Sequence, residues 1–305
     1  MNLKGMTLEE FSGLFINKAQ AIEEFYKLCH GLDGCKTVSL LFNPHRLSTD
    51  TEKDDLSVFE SLQCDDKLNG LARLYLYNLE HGVNNSFYAA VQRGYNNIQY
   101  VNEFPPIVAR NIIKQYSAKQ SDIYILDPCG GWGGRMIGCA SLGYVHYTCC
   151  EPSTQTFNGL LKLGDWLKTL QPNFTFDVNC LPYEDFNTTV KFDIALTSPP
   201  YYNTEHYSDE DTNSLNRYNT FDSWVDNFYT PLIVNTVKRL KDNGVFILNV
   251  GDRKYPLSEK AFEICKNNNL YCERINDYLS GNGKGKEKFY CISKVKKINK
   301  VKSLF

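Results

Sequence analysis

An open α/β sheet that binds its ligand along the carboxyl ends of its strands is the fold class this sequence predicts, and three stretches carry the prediction. In FDIALTSPPYY (192–202), Ile194, Ala195, Leu196 and Thr197 read as a buried strand that runs into Ser198, Pro199, Pro200 and Tyr201. Two consecutive prolines end a central strand, because each lacks the N–H the ladder needs and fixes its own φ. A hydroxyl, two rigid rings and an aromatic are thereby presented where open α/β sheets bind ligands. In IYILDPCGGWGG (123–134), a second short strand ends on Asp127, Pro128 and Cys129, then gives way to a glycine-rich turn and the helix-compatible run MIGCASLG. Glycine lets the backbone turn tightly and approach a ligand, and the helix start offers N–H groups to an anion. The third stretch is the strand-like run Tyr147–Cys150, which closes on Glu151 eighteen residues past Gly133. An acid at that spacing is placed for ribose hydroxyls.

The remaining elements follow in order. FTFDV (174–178) reads as another strand, and NCLPYEDF brings Glu184 and Asp185 to its end, within reach of an adenine amino group. The glycine loop is not a P-loop, since no Gly-Lys-Ser/Thr follows, and Asp127-Pro128 ahead of the glycines departs from the dinucleotide fingerprint. Upstream, Thr7 and Glu10 make a capping box. Phe11, Leu14, Phe15, Ile22, Phe25 and Leu28 recur at helical spacing and predict one amphipathic helix over 7–29. Residues 43–66 are polar and acidic and read as a loop or weakly ordered link, with a second helical pattern over 68–79. The aromatic stretch 84–100, with Arg93, divides between substrate contact and simple packing. Residues 202–221 form a long tyrosine-rich loop that leaves the candidate active-site edge and reads as a lid. Asp252 and Arg253 end a further strand at that edge, either orienting a base or making an ordinary helix-start salt bridge.

In order and spacing, these motifs resemble those of class I S-adenosylmethionine-dependent methyltransferases, and among them the nucleic-acid amino-methyltransferases. DPCGGWGG is similar to the family's first motif, with Cys129 where phenylalanine is commoner, and SPPY resembles its fourth. NEFPPIVARNIIKQYS (102–117), containing Phe104, looks like the segment that packs beside the methionine end of the cofactor. Residues 220–252 resemble the helix and strand that follow SPPY, and KEKFYCISK (286–294) the last strand. The resemblance covers about residues 100–295. It implies a Rossmann-like class I methyltransferase sheet with helices on both faces, spanning 101–295. A mainly helical N-terminal region (1–100) with a share in substrate recognition precedes it, and a basic tail (296–305) follows. It also implies S-adenosylmethionine held by Asp127, Pro128, Cys129, Gly131, Gly133, Glu151, Asp185 and Phe104, with catalysis by Ser198, Pro199, Pro200 and Tyr201. The implied reaction is DNA methylation at the exocyclic amino group of a flipped cytosine (N4) or adenine (N6), as in restriction–modification. An RNA amine as the acceptor, or a non-catalytic partner subunit that keeps the fold, are the alternatives.

The chemistry accounts for these residue types. An exocyclic amino nitrogen is a poor nucleophile, because its lone pair is drawn into the ring. Hydrogen bonds from its N–H groups to the Ser198 hydroxyl and a proline carbonyl favour a pyramidal nitrogen. Stacking on Tyr201 is worth about 1–3 kcal/mol, against a few kcal/mol to flip a base from a duplex. Neither a metal nor a thiol is required. Carbon-5 methylation would need an activated cysteine, and Cys129 follows Pro128 but lies inside the cofactor loop.

Composition bounds the rest. The 11 cysteines contain no C-x-x-C pair and the five histidines are scattered, so no zinc site is expected. With no signal peptide, they read as free thiols in a reducing, cytoplasmic compartment. The lysine-, asparagine- and tyrosine-rich composition suits an A·T-rich genome such as that of a phage or virus. At 305 residues and 42% hydrophobic, the chain can bury one large core and carry an accessory region. No apolar run approaches the roughly 18 residues of a membrane span. A formal charge of −2 leaves a nucleic-acid partner open, because footprints are local. Lys284, Lys286 and Lys288 on the 281–288 turn form a candidate phosphate-binding face, to which the lysines of 294–302 would add, although the tail 296–305 reads equally as a solvated, frayed end. No helix-turn-helix is present to read a recognition sequence, and no motif specifies an oligomeric state.

Overall fold

The computed structural model describes residues 5–51, 56–60, 64–83, 98–99, 101–117, 122–252, 254–275 and 287–296. Seven strands make one sheet: β1 (Ile123–Asp127), β2 (Val145–Cys150), β3 (Thr175–Asn179), β4 (Phe192–Thr197), β5 (Leu240–Gly251), β6 (Tyr271–Ile275) and β7 (Glu287–Ser293). Their spatial order is β3-β2-β1-β4-β5-β7-β6. β1 to β5 pair in parallel, and β7 inserts antiparallel between β5 and β6. This is the Rossmann-like sheet with helices on both faces that the motif order predicts. Its chain order reverses between β1 and β4, the switch point at which open sheets leave a crevice at their carboxyl edge.

The strand sequences explain the layering. Parallel strands are buried on both faces and therefore read as apolar runs, and successive side chains point to opposite sides. Ile123, Ile125, Tyr147, Cys149, Ile194, Leu196, Val245 and Ile247 face one side. That side is covered by helices α2 (Lys18–Cys29), α4 (Pro106–Tyr116), α5 (Gly134–Ala140) and α6 (Thr154–Leu170), which follow α1 (Leu8–Ser12) and α3 (Asp65–Glu80) in this numbering. Leu126, Cys150, Ala195, Phe246 and Leu248 face the other side, under α7 (Thr230–Arg239) and α8 (Leu257–Asn267). Cys149 and Cys150 thus fill opposite layers of a strand and are both fully buried.

Two N-terminal expectations are corrected. The single helix over 7–29 is two helices, α1 and α2, each started by its own capping box: Thr7 with Glu10, and Asn17 with Gln20. Asn17 competes for the local backbone donors and restarts the helix, which turns Ile22 outward (37% exposed) and seats Ala21 in the core instead. The stretch from 43 onward is no loose link either. Asn43, Arg46, Leu47 and Thr49 are buried, Pro44–Ser48 forms a 3-10 turn, and Asp50–Thr51 pairs with Glu205–His206 beyond the SPPY motif. Ala21, Phe25, Leu28 and Val38 belong to the same core cluster as the sheet. Arg93, Arg253, Lys284 and Lys286 lie outside the described residues, as does the tail from 297.

α4 and α5 approach each other through glycine. A Cβ at Gly138 would sit 2.3 Å from the Pro106 carbonyl oxygen and 2.7 Å from Ala109 Cβ. Overpacking of this kind costs about 1–3 kcal/mol, and here the obstacle is backbone that cannot swing away. Gly138→Ala should therefore lower the urea midpoint by that equivalent without changing the slope. An unchanged midpoint would mean the two helices are not in this contact.

Candidate functional site

A cavity of about 590 Å³ opens at the carboxyl edge of the sheet. Its walls come from every strand end near the switch point: Cys129–Trp132 after β1, Glu151–Ser153 after β2, Pro182–Glu184 after β3 and Ser198–Tyr201 after β4. The glycine loop and the SPPY turn thus face one space.

Asp127 is the hinge between them. Its carboxylate is fully buried, at the tip of the central strand. Oδ2 accepts from Arg135 Nε (2.7 Å) and the Tyr147 hydroxyl (2.6 Å). Oδ1 accepts from the Thr197 hydroxyl (2.8 Å) and the Cys129 amide (3.3 Å), and that amide also reaches Thr197 Oγ1 (3.2 Å). The loop after β1 is therefore fastened to the residue immediately before Ser198. Arg135 also donates to the Cys129 carbonyl and stacks over Phe104 (5.4 Å). Burial opposes the Arg135 charge, but Asp127 outweighs it and holds the guanidinium above its ordinary range. Burial, with Asp127 beside it, pushes the Cys129 thiol well above its ordinary value. Its side chain packs against the core on the α7 side of the sheet.

Glu151 also lines the cavity. Its Oε2 accepts from the Gly131 amide and its Oε1 from the Ser153 amide, both at 3.0 Å. Burial nevertheless pushes its carboxyl up to about 7. Gly131 has a φ of +56° and Gly133 one of +102°, left-handed conformations in which glycine avoids the strain of a side chain. At Gly133 a Cβ would also lie 2.3 Å from Leu163 Cδ2 of α6.

Of the residues expected at the site, Phe104, Pro128, Cys129, Gly131, Glu151 and Ser198–Tyr201 border the cavity, whereas Asp127, Gly133 and Asp185 do not. Asp127 lies beneath the loop and acts through the groups it holds. Asp185 is half exposed and salt-bridged to Arg217 (2.8 Å). Its neighbour Glu184 lines the cavity instead, with Oε1 accepting from the Tyr218 hydroxyl (3.1 Å) and paired with Arg217 Nη1 (3.1 Å), and Oε2 buried without a hydrogen-bond partner among the described residues. Burial holds the Glu184 carboxyl above its ordinary value.

The SPPY turn is braced from behind. Tyr202 takes a left-handed φ of +56°, rare for an aromatic residue and a mark of local strain. Its ring packs against Tyr255 (5.0 Å) and Trp224 (5.7 Å), and its hydroxyl donates to the Asn219 carbonyl (3.0 Å). These contacts hold the turn so that Ser198 Oγ lies 3.4 Å from the Tyr201 hydroxyl, with both residues half-buried in the cavity wall. The segment beyond contributes Thr204, Glu205, Tyr207 and Ser208 to the cavity wall. Glu210 accepts from the Thr154 amide (2.9 Å) and hydroxyl (2.8 Å), tying the acidic run to the start of α6. Asp252 accepts from the Ser258 amide (2.8 Å) and Lys288 Nζ (2.6 Å), an ordinary helix-start arrangement outside the cavity wall.

Sequence reasoning missed Glu103, Lys36 and Asn249, all of which line the cavity. Glu103 adjoins Phe104 in the FPP segment, a position that could have flagged it. Lys36 and Asn249 carry no local signal. Among the described residues, no three His, Cys, Asp or Glu side chains gather as metal ligands, and no helix is long and apolar enough to cross a membrane.

Comparison with known proteins places the chain among distant folds. No family model matches it, and no curated protein matches by sequence. Solved structures similar to it include a glycopeptide N-methyltransferase complexed with S-adenosylmethionine (10% identity, TM-score 0.45, covering 61% of this chain and 86% of that one). Others are a putative rRNA methylase from Clostridium thermocellum (10%, 0.41, 62% and 94%) and a ribosomal protein L11 methylase from Lactobacillus delbrueckii subsp. bulgaricus (14%, 0.41, 61% and 76%).

Asp127 and Asp185 should separate sharply on substitution. Asp127→Asn leaves the buried Arg135 charge uncompensated, a loss of about 3–5 kcal/mol. Asp185→Asn removes an exposed pair worth about 0–1 kcal/mol. Urea denaturation of both variants should show that gap, and similar losses would mean Asp127 is not the buried anchor described.

Proposed function

We propose that this protein is an S-adenosylmethionine-dependent amino-methyltransferase acting on a nucleic-acid base, with DNA cytosine N4 or adenine N6 as the preferred acceptor. One observation carries the reading: the glycine loop with Glu151 and the Ser198–Tyr201 turn border the same cavity. The residues present suit the cofactor. Glu151 stands at the end of β2 with the loop amides around it, placed to accept from ribose hydroxyls. Glu184, on the cavity wall at the end of β3, is the candidate acceptor for the adenine amino group. Pro182 and Tyr183 flank it on the cavity wall.

When bound, S-adenosylmethionine supplies an electrophilic methyl group on a sulfonium. The chain's own residues do the rest. Ser198 Oγ and the backbone after it accept the N–H groups of the acceptor amine and orient its lone pair. Pro199 and Pro200 hold those acceptors rigid, and Tyr201 offers a face for stacking. The strained, braced Tyr202 keeps this geometry prepaid before any ligand arrives. Transfer would exchange the sulfonium–methyl bond for an N–C bond, leaving a neutral thioether, and the proton shed by the methylated amine would pass to water; the neutral Ser198 hydroxyl receives hydrogen bonds without itself becoming a nucleophile. The high-lying Cys129 thiol favours this route over carbon-5 chemistry, which runs through a thiolate.

Mass spectrometry of nucleosides after incubation with deuterated-methyl S-adenosylmethionine tests the reading. Unmethylated DNA and RNA pools serve as acceptors. Label on N4-methylcytosine or N6-methyladenine from DNA is the expected result. Label confined to RNA would move the acceptor, and no label with the cofactor bound would leave a methyltransferase of another substrate class. Pro200→Ala should retain S-adenosylhomocysteine binding and lose at least about tenfold in turnover through misplacement of the amine.

The Glu151 carboxyl gives a pH signature with two opposite signs. Its pKa is raised to about 7, so protonation favours the folded free protein. That stabilising term is fully present below the ordinary value of 4.5 and is lost as pH rises through about 7. Ribose hydroxyls, in contrast, need the carboxylate. Titration calorimetry with S-adenosylhomocysteine should show affinity falling by up to about tenfold per pH unit below pH 7, and Glu151→Gln should flatten that profile.

A further inference from the structure

Among the described residues, β5 sends one residue to the cavity wall, Asn249, and the reaction outlined above gives it no task. It is buried in an otherwise apolar stretch, with Val245, Phe246, Ile247 and Leu248 before it and Val250 after it. A carboxamide at this depth is costly unless its polar atoms are used. Nδ2 donates to the Lys288 carbonyl of β7 (3.3 Å). A carbonyl only accepts, so this bond turns the amide nitrogen towards β7 and leaves Oδ1 facing away from it. Oδ1 takes no hydrogen bond from any described residue, and it is not among the orphaned side-chain oxygens sealed in the interior. It therefore opens on the cavity that Asn249 lines.

The strand register says what lies beside it. Thr197 of β4 stands opposite Leu248 of β5. The next residues along, Ser198 and Asn249, are thus neighbours across a seam of about 5 Å, and both border the cavity. The order of the strands separates the two sides of the site. The residues assigned to the cofactor follow β1, β2 and β3, the SPPY turn follows β4, and β5 is the next strand outward. An acceptor amine at Ser198 then has the cofactor on one side and Asn249 on the other. In cytosine and in adenine the amine carries two N–H groups and sits next to a bare ring nitrogen. A carboxamide matches that edge with one acceptor and one donor in a plane, as asparagine does on adenine in a DNA groove.

Resting on the acceptor assignment above, we infer that Asn249 is a second base-reading residue, whose Oδ1 receives the amine N–H on the ring-nitrogen side and whose remaining Nδ2–H is donated to that nitrogen. The other amine N–H is left to the Ser198 turn. The same amide rejects the edge formed by a carbonyl and a ring N–H, which thymine, uracil and guanine present. There oxygen would face oxygen and N–H would face N–H, and the bond to Lys288 keeps the amide from flipping to suit it.

The test measures single-turnover methyl transfer from saturating S-adenosylmethionine to unmethylated DNA and RNA pools, read by nucleoside mass spectrometry. Asn249→Leu keeps the volume and removes both polar contacts. It should slow transfer at least about fivefold, the range of one lost hydrogen bond, while S-adenosylhomocysteine affinity by titration calorimetry stays within about twofold. Combined with Ser198→Ala, it should lose less than the product of the two single losses, because both side chains hold one amine. A merely structural asparagine would give losses that multiply. If Asn249→Leu does not fold, Asn249→Ser is too short to span the edge and carries the same expectations. Unchanged transfer in the variant would overturn the inference, as would losses that multiply or a matching fall in S-adenosylhomocysteine affinity. A wild type that binds S-adenosylhomocysteine but labels neither pool removes the acceptor assignment itself, and the inference with it.

Discussion

One buried carboxylate organises this molecule. Asp127 stands at the tip of the central strand, and its two oxygens accept from an arginine, a tyrosine, a threonine and a backbone amide. Removed from water, such a charge is tolerable only when every lone pair is used. That requirement dictates the local structure. The glycine loop has to curl back far enough for the Cys129 amide and Arg135 to reach Asp127, and β4 has to bring Thr197 alongside. The switch-point crevice of the sheet is thereby converted into a cavity whose two chemical halves share one electrostatic anchor. The wall residues can then stay available for ligand, because the fold's own demands are met underneath them.

The same logic extends outward through a second ion pair. Arg46 and Glu103 are both buried, from segments 57 residues apart in the chain. Their pairing binds the N-terminal region to the segment ahead of α4. Further ties accompany it: Asn43 Nδ2 donates to the Trp132 carbonyl (3.1 Å), His45 meets Thr156 Oγ1 (2.9 Å), and the His45 and Trp132 rings meet edge to face at 5.2 Å. Burial, with Arg46 nearby, lowers the His45 pKa to about 4, so this contact is made by a neutral ring at physiological pH. The segment beyond SPPY is held more lightly. Its links to Thr154 are exposed hydrogen bonds, each worth about 1 kcal/mol net. Anchors within the cavity floor are thus buried and charged, whereas the segment beyond SPPY combines these exposed bonds with part-buried ones, such as Thr212 Oγ1 to the Pro152 carbonyl (3.0 Å). Opening is easiest where bonds are weakest and wettest.

Legibility in the sequence followed the range of the interactions. The strands of the parallel core were readable because burial on both faces leaves an apolar run that needs no partner to be recognised. The glycine loop, Glu151 and SPPY were readable because turn geometry and proline chemistry act within a few residues. Glu184 and Asp185 were found together, but their roles were not separable. Arg217, 32 residues from Asp185, reaches both acids (3.1 Å to Glu184 and 2.8 Å to Asp185), and only the fold shows that Glu184 lines the cavity while Asp185 stays at the surface. The break between α1 and α2 was hidden by the apolar stripe, although Asn17 and Gln20 carried a local capping signal. Arg46 looked like part of a polar link, and nothing nearby in sequence reveals a buried partner.

By itself, the sequence determined the sheet, the edge at which its motif residues gather and the residue types found there. Hydrophobic patterning, φ restrictions and strand-end spacing are local properties that every copy of the chain carries before folding. Only the tertiary structure decided which of those residues serve the fold and which face the ligand. Asp127 was assigned to a cofactor by its motif, and packing turned it inward to Arg135, Tyr147 and Thr197. Glu103 was passed over, and packing buried it against Arg46 and Ser39. The physical reason is that a carboxylate's role is set by the donors that reach it, and those donors arrive from parts of the chain that only folding brings together.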